Sequence, residues 1–215
     1  MGNRAKKLVL LSILLMGIYL FTSEADAYTL TDGMTNRGSW NGGAFLIDGT
    51  LLTFCLERDE FFNWGINYSG TIDSFANEGG LEGGTPDPIS NQTAWLYLQF
   101  LNNPTMYKTD LWEIAFQIAI WFLEDELNKV YTYATLPLDV KELIDKANAA
   151  VTFNQESNPY PFLNNNQVKV LNLYNGTTLV QSQLFWQVPE PSTLLLLGLG
   201  LIGLGIGVHR RKKMI

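Results

Sequence analysis

Two uncharged apolar runs bound a mixed middle. The first extends from Leu8 to Phe21, interrupted only by Ser12 among the early positions, and the second from Ser192 to Val208. Between them the pattern changes from element to element. Phe45-Leu46-Ile47 and Thr50 to Leu56 flank Asp48-Gly49, a two-residue loop whose glycine accepts positive φ, which predicts a β-hairpin with Cys55 on its second strand. Strand alternation there sets Leu51, Thr53 and Cys55 against Leu52, Phe54 and Leu56, so both faces are partly covered. Asn63 to Ser90 is rich in Gly, Asn, Ser and acidic residues and reads as a long loop with short irregular strands. Three helices follow in the pattern, at about 90–101, 110–127 and 139–151. Asp110 and Glu113 supply the N-cap and its capping-box partner of the second, whose apolar residues surround nearly its whole circumference and predict a central, buried helix. The third is amphipathic, with Val140, Leu143, Ile144 and Ala147 on one side. A last hairpin, Val168 to Tyr174 and Thr177 to Val188, turns at Asn175-Gly176. The fold class is α+β, with antiparallel hairpins and about three helices inserted between the strands.

The two apolar runs carry different addresses. Arg4, Lys6 and Lys7 precede the first, which has the length of a signal peptide rather than of a membrane span, and Ala25-Asp26-Ala27 offers small residues for cleavage. Residues 1–27 are thus expected to be removed, leaving Tyr28 as the first residue of the exported body, 28–188. The second run follows Val188-Pro189-Glu190-Pro191 and ends at His209-Arg210-Arg211-Lys212-Lys213. Residues 192–208 reach the lower limit of a transmembrane helix, and the basic cluster beyond them stays cytoplasmic, which puts the body across the membrane.

In its order, Pro-Glu-Pro, apolar helix, basic tail, residues 189–213 resemble the PEP-CTERM sorting signal read by exosortases in Gram-negative bacteria. The resemblance implies an exosortase-type processing enzyme as partner and transient anchoring in the inner membrane. It also implies cutting near Pro189, Glu190 and Pro191, with Arg210 and Arg211 in the retention end, and delivery to the cell surface or extracellular matrix.

Composition narrows the function of the body. It holds seven basic against 18 acidic residues, a balance that argues against nucleic acid and phospholipid headgroups as partners. Its size suits a single core and a single domain. The only histidine of the chain, His209, lies in the tail, so Ser-His and Cys-His catalysis are unavailable to the body, and no metal site or cofactor is expected. Cys55 is the one cysteine. In an exported protein it cannot pair internally, which leaves a buried apolar filler, an intermolecular link, or a group with chemistry of its own.

Phe54-Cys55-Leu56-Glu57 and Gln117-Ile118-Ala119-Ile120-Trp121 together resemble the thioester domains of bacterial surface adhesins. In that family a strand cysteine and a helical glutamine condense to an internal thioester that amines on a target surface open. The resemblance maps Cys55 and Gln117 onto those positions and implies amine-bearing surface or matrix targets. It departs from the family in having Phe116 where threonine often precedes the glutamine. Phe54, Trp112, Phe116 and Trp121 are candidates for an aromatic pocket that keeps water from the bond. Gln117 has a second reading: with Glu113 and Glu124 it lies on one narrow helical stripe, which a solvated face would also explain.

Three functions follow. One is a surface- or matrix-attached binding protein, covalent through Cys55 and Gln117. Another is a structural or carbohydrate-binding protein of the exopolysaccharide or biofilm matrix with an inert Cys55, for which Trp40, Trp64, Trp95 and Tyr68 are candidate stacking residues. The third is a hydrolase using Glu57 with Asp59 or Glu124 with Glu126, although abundant acidic side chains are usually solvated surface. The first two make the protein a non-enzyme.

Overall fold

A computed structural model describes residues 27–33, 42–80, 84–103, 105–107, 109–127, 131–157 and 167–187. The signal segment and residues 188–215, with the apolar run 192–208 and the basic tail, lie outside them. Among the described residues no helix is long and apolar enough to cross a membrane.

The architecture is α+β and antiparallel. Its strands are β1 (Ala27–Asp32), β2 (Phe45–Ile47), β3 (Leu51–Thr53), β4 (Asn67–Asp73), β5 (Phe75–Ala76), β6 (Asp87–Pro88), β7 (Val168–Asn175) and β8 (Thr178–Trp186); the helices α1 (Asn91–Asn102), α2 (Asp110–Leu123) and α3 (Leu138–Ser157) stand between β6 and β7. Six strands form one sheet in the order β3-β2-β1-β4-β7-β8, and β5 and β6 form a separate pair. The β2–β3 turn takes positive φ at both Asp48 (52°) and Gly49 (66°), the twist a tight hairpin needs.

The two ends of the large sheet meet. The Leu56 amide donates to the Ser182 carbonyl at 3.0 Å and the Leu184 amide to Phe54 at 3.0 Å, while Cys55 bridges Gln183 antiparallel. The segment after β3 is thus sewn to β8, and the sheet closes on itself. Closure satisfies backbone groups that an edge would leave open. It also moves Cys55 off the second hairpin strand: β3 ends at Thr53, and Cys55 belongs to the seam.

Three further corrections arise in the body. The polar stretch 63–90 contains β4, a seven-residue strand between β1 and β7. Its Gly70 is pressed against Leu171 and Tyr28, where a Cβ would stand 2.7 and 2.8 Å from their side chains, so the residue that looks like a loop marker is a packing requirement. Strand β1 was likewise not visible as a separate element, although Leu30 is fully buried. Finally, Thr109 rather than Asp110 caps α2, its hydroxyl accepting from the Trp112 amide, and the helix ends at Leu123.

Two cores result from strand alternation. Phe54, Leu56, Val170 and Leu184 face the helices and join Phe100, Phe116, Ile120, Val140, Leu143 and Ile144. Their neighbours Cys55, Leu171 and Leu173 face the other way, into a cluster with Leu30, Ile47, Phe45 and Tyr68. Helix α2 serves both. Its Phe116, Ala119 and Ile120 enter the first core, whereas Trp121, four residues from Gln117 and therefore on the same face, enters the second.

Candidate functional site

Cys55 sits where the seam, α2 and β8 converge, and its backbone, not only its side chain, is occupied. Gln117 Nε2 donates to the Cys55 carbonyl at 2.8 Å, and the Cys55 amide donates to Gln117 Oε1 at 3.1 Å. Both ends of one carboxamide are thus held by one residue. Gln117 is fully buried, Glu113 nearly so, and the stripe they share is not a solvated face. Gly42 allows this approach: it has φ +80°, and a Cβ there would stand 2.4 Å from Gln117 Cγ and 2.7 Å from Trp121 Cη2. A third polar group completes the surroundings of the thiol. Gln183 Nε2 donates to Cys55 Sγ at 3.4 Å, and the Gln183 Oε1 accepts from the Thr53 hydroxyl at 3.4 Å.

Burial is the main influence on the thiol, pushing its pKa up to about 12; the Gln183 hydrogen bond lowers it, and the neighbouring carboxyl groups of Glu57 and Glu60 raise it. Those two carboxyl groups are themselves displaced. Glu57 is raised to about 9, first by burial and then by Glu60. Its Oε2 accepts from the Ser182 amide at 3.1 Å, and its backbone carbonyl from Gln181 Nε2 at 2.7 Å. Glu60 is raised to about 7 by burial and by the charges of Glu78, Asp59 and Glu126, against a hydrogen bond from Glu57 that lowers it. Glu126 is also buried, with its Oε2 accepting from the Arg58 amide at 3.2 Å.

A cavity of about 510 Å³ opens beside the thiol. Cys55, Glu57, Glu60 and Trp121 line it together with Phe45, Phe62 and Trp64. The last three rings form a T-shaped and tilted cluster with centroids 5.0 to 5.7 Å apart. Phe61 is largely exposed and Trp64 half-exposed at its rim.

The residues named from sequence separate into two groups. Cys55, Gln117 and Trp121 come together. Phe54, Trp112 and Phe116 do not join them: Phe54 and Phe116 stack at 6.2 Å within the helical core and Trp112 packs through Tyr107 on that same side, since Phe54 faces opposite to Cys55 on an extended chain and Phe116 is turned about 100° from Gln117 around α2. The aromatic wall at Cys55 is instead Phe45, Phe62, Trp64 and Trp121. Sequence reasoning passed over Gln183 and Glu60. Three successive polar residues, Gln181-Ser182-Gln183, inside an apolar strand were the available signal for the former, and an acidic run ending in Phe61-Phe62 for the latter.

The carboxylate pairs fall differently from the sequence pattern. Glu57 is paired with Glu60, while Asp59 is exposed; Glu124 bonds Ser90 Oγ at 2.6 Å, and Glu126 turns to Arg58. Glu57 and Glu126 are therefore buried groups and not solvated surface. Of the candidate sugar-stacking rings, Tyr68 is buried, Trp95 packs against the helical core, Trp64 lines the cavity, and Trp40 lies outside the described residues. Among the described residues no group of His, Cys, Asp and Glu is arranged to hold a metal ion.

Residues 187–212 match the PEP-CTERM protein-sorting motif. That motif implies export to the cell envelope or surface and processing by an exosortase-type enzyme. The match covers the tail and leaves the body without an assigned family. No curated protein and no solved structure matches the chain.

Proposed function

We propose that the sorted body is a surface- or matrix-associated binding protein that forms a thioester between Cys55 Sγ and Gln117 Cδ, and through it bonds covalently to amine-bearing targets. One observation carries the reading: a fully buried glutamine carboxamide is clasped at both ends by the backbone of the only cysteine. The Cys55 amide on Oε1 polarises the carbonyl and stands ready for the charge that develops on that oxygen when sulfur attacks. Because burial holds the thiol proton tightly, attack requires an acceptor nearby, and Glu60, raised to about 7 and so partly ionised near neutrality, has the proton affinity for it. Sulfur adds to Cδ, the C–N bond breaks, and the departing NH2 group takes up the thiol proton to leave as ammonia. Gln183 then donates to the thioester sulfur and, on reaction with an amine, to the departing thiolate. No cofactor is needed, because the acyl group is stored on a good leaving group.

A second reading, an inert structural protein with the same address, is favoured by the apolar surroundings of Cys55 and its strongly raised thiol. The intact mass of the exported, processed protein, purified with and without methylamine, separates them. A mass lower by one ammonia, converted to a methylamine adduct and absent from Cys55→Ala and Gln117→Ala, supports the thioester. A full mass with a free thiol sinks it.

A further inference from the structure

The cavity beside Cys55 has a chemistry of its own. Its lining carries two carboxyl groups, Glu57 and Glu60, and one basic residue, Arg58, whose guanidinium is drawn over the Tyr131 ring, 5.5 Å from its centroid. Tyr131 is not part of that lining. One buried polar atom of a lining residue, the acceptor Glu60 Oε2, has no hydrogen-bond partner among the described residues. An orphaned group of this kind is costly unless something polar meets it. Aromatic faces of Phe62, Trp64 and Trp121 supply the rest of the wall, and the volume, about 510 Å³, falls in the range of small-ligand sites.

We propose that this cavity recognises a primary alkylammonium group, such as the end of a lysine side chain or of a free diamine, with Glu60 and Glu57 receiving the cation and Phe62, Trp64 and Trp121 flanking its methylene stem. An ammonium brings three donors to a cluster of acceptors, and a cation near indole and phenyl faces gains from their quadrupoles. A carboxylate or phosphate would instead meet ionised Glu60 and the acidic groups around it. The other charged groups close to the pair, Asp59, Glu78 and Glu126, are acidic as well and raise its affinity for a cation.

The covalent step rests on the thioester reading; the recognition does not. In that step the ammonium gives a proton to ionised Glu60, and the neutral amine attacks Gln117 Cδ. The Cδ–Sγ bond breaks with its electron pair on sulfur, and the second amine proton passes to Sγ by way of Glu57. An amide and a Cys55 thiol result, and Glu60 returns its proton to solvent. Cation binding competes with protons for Glu60, so affinity rises as pH passes upward through about 7.

The test uses the full-length chain carrying Cys55→Ala, which removes covalent reaction, titrated calorimetrically with 1,5-diaminopentane, Nα-acetyl-lysine amide, glucosamine and 1-pentanol at pH 6 and pH 8. We expect saturable binding of the first two, stronger at pH 8 and weakened about tenfold or more by Glu60→Gln, since a charged hydrogen bond is lost. Trp64→Ala, at a half-exposed rim position, should weaken both without unfolding the protein. Equal or tighter binding of glucosamine or 1-pentanol, or indifference to both Glu60→Gln and Trp64→Ala, would overturn the assignment. So would failure of both alkylammonium probes to bind. A parallel mass measurement on the wild type with methylamine reports the thioester separately: adducts without selective binding leave the bond and remove the site, and binding without adducts does the reverse.

Discussion

Replacing Gln117 by alanine separates the contributions of this side chain to stability and to chemistry. The substitution strands the Cys55 amide and carbonyl, which bond Gln117 at 3.1 and 2.8 Å in a buried seam. Each orphaned group costs about 1–3 kcal/mol, so the hydrogen bonds alone imply a loss of roughly 2–6 kcal/mol. A thioester would add a cross-link between residues 62 positions apart, which loop-closure entropy values at roughly 4 kcal/mol, while its formation expels Nε2 as ammonia and with it the hydrogen bond to the Cys55 carbonyl. Cys55→Ala is the reference, because it keeps both backbone groups and hence both hydrogen bonds while losing any cross-link. Urea denaturation of wild type and the two variants, before and after methylamine, measures both terms. Gln117→Ala should be less stable than Cys55→Ala by about 2 kcal/mol or more. If a thioester is present, methylamine should bring the wild type down towards Cys55→Ala. A Gln117→Ala protein within about 0.5 kcal/mol of wild type, the range of an ordinary surface change, would refute the clasp and return Gln117 to a solvated stripe.

Other perturbations address the supporting residues. Gly42→Ala forces a Cβ against Gln117 and Trp121 at a positive φ, a backbone strain of about 1–2 kcal/mol before the clash; the chain should still unfold cooperatively but form no methylamine adduct, and wild-type adduct levels would show the close approach to be unnecessary. Gln183→Leu removes the donor to Sγ and should slow thioester formation after refolding by between about tenfold and a hundredfold, read as the fraction of ammonia-deficient mass over time. An unchanged rate would rule out Gln183 as a positioning residue. Glu57 has a folded pKa raised to about 9, so the native state retains its proton where the unfolded chain has lost it; stability is full below the ordinary carboxylate range and declines as pH rises through about 9. That proton contributes at most about 1.4 kcal/mol per pH unit, and Glu57→Gln should flatten the dependence of the urea midpoint between pH 5.5 and 8.5. The same slope in the variant would assign the effect elsewhere.

The sequence by itself determined what local periodicity and short motifs can encode. Turn glycines at Gly49 and Gly176 and the amphipathic face of α3 are properties of neighbouring residues, and the sorting motif is read as a linear string. The cysteine and glutamine could be named as a pair on the same footing, each within its own motif. Tertiary structure decided the rest, because it depends on partners far along the chain. Strand β4 looks like loop until β1 and β7 provide its ladders and Leu171 and Tyr28 explain Gly70. The direction in which Phe54 and Cys55 point is set by closure onto β8, and that closure sent Phe54 and Phe116 to one core and Cys55 and Trp121 to the other. Glu57, Glu60 and Gln183 acquire their roles only where the seam removes water from them. Desolvation raises their interaction energies from surface values to ones that matter for chemistry, and no local pattern of residues records which side chains will lose their water.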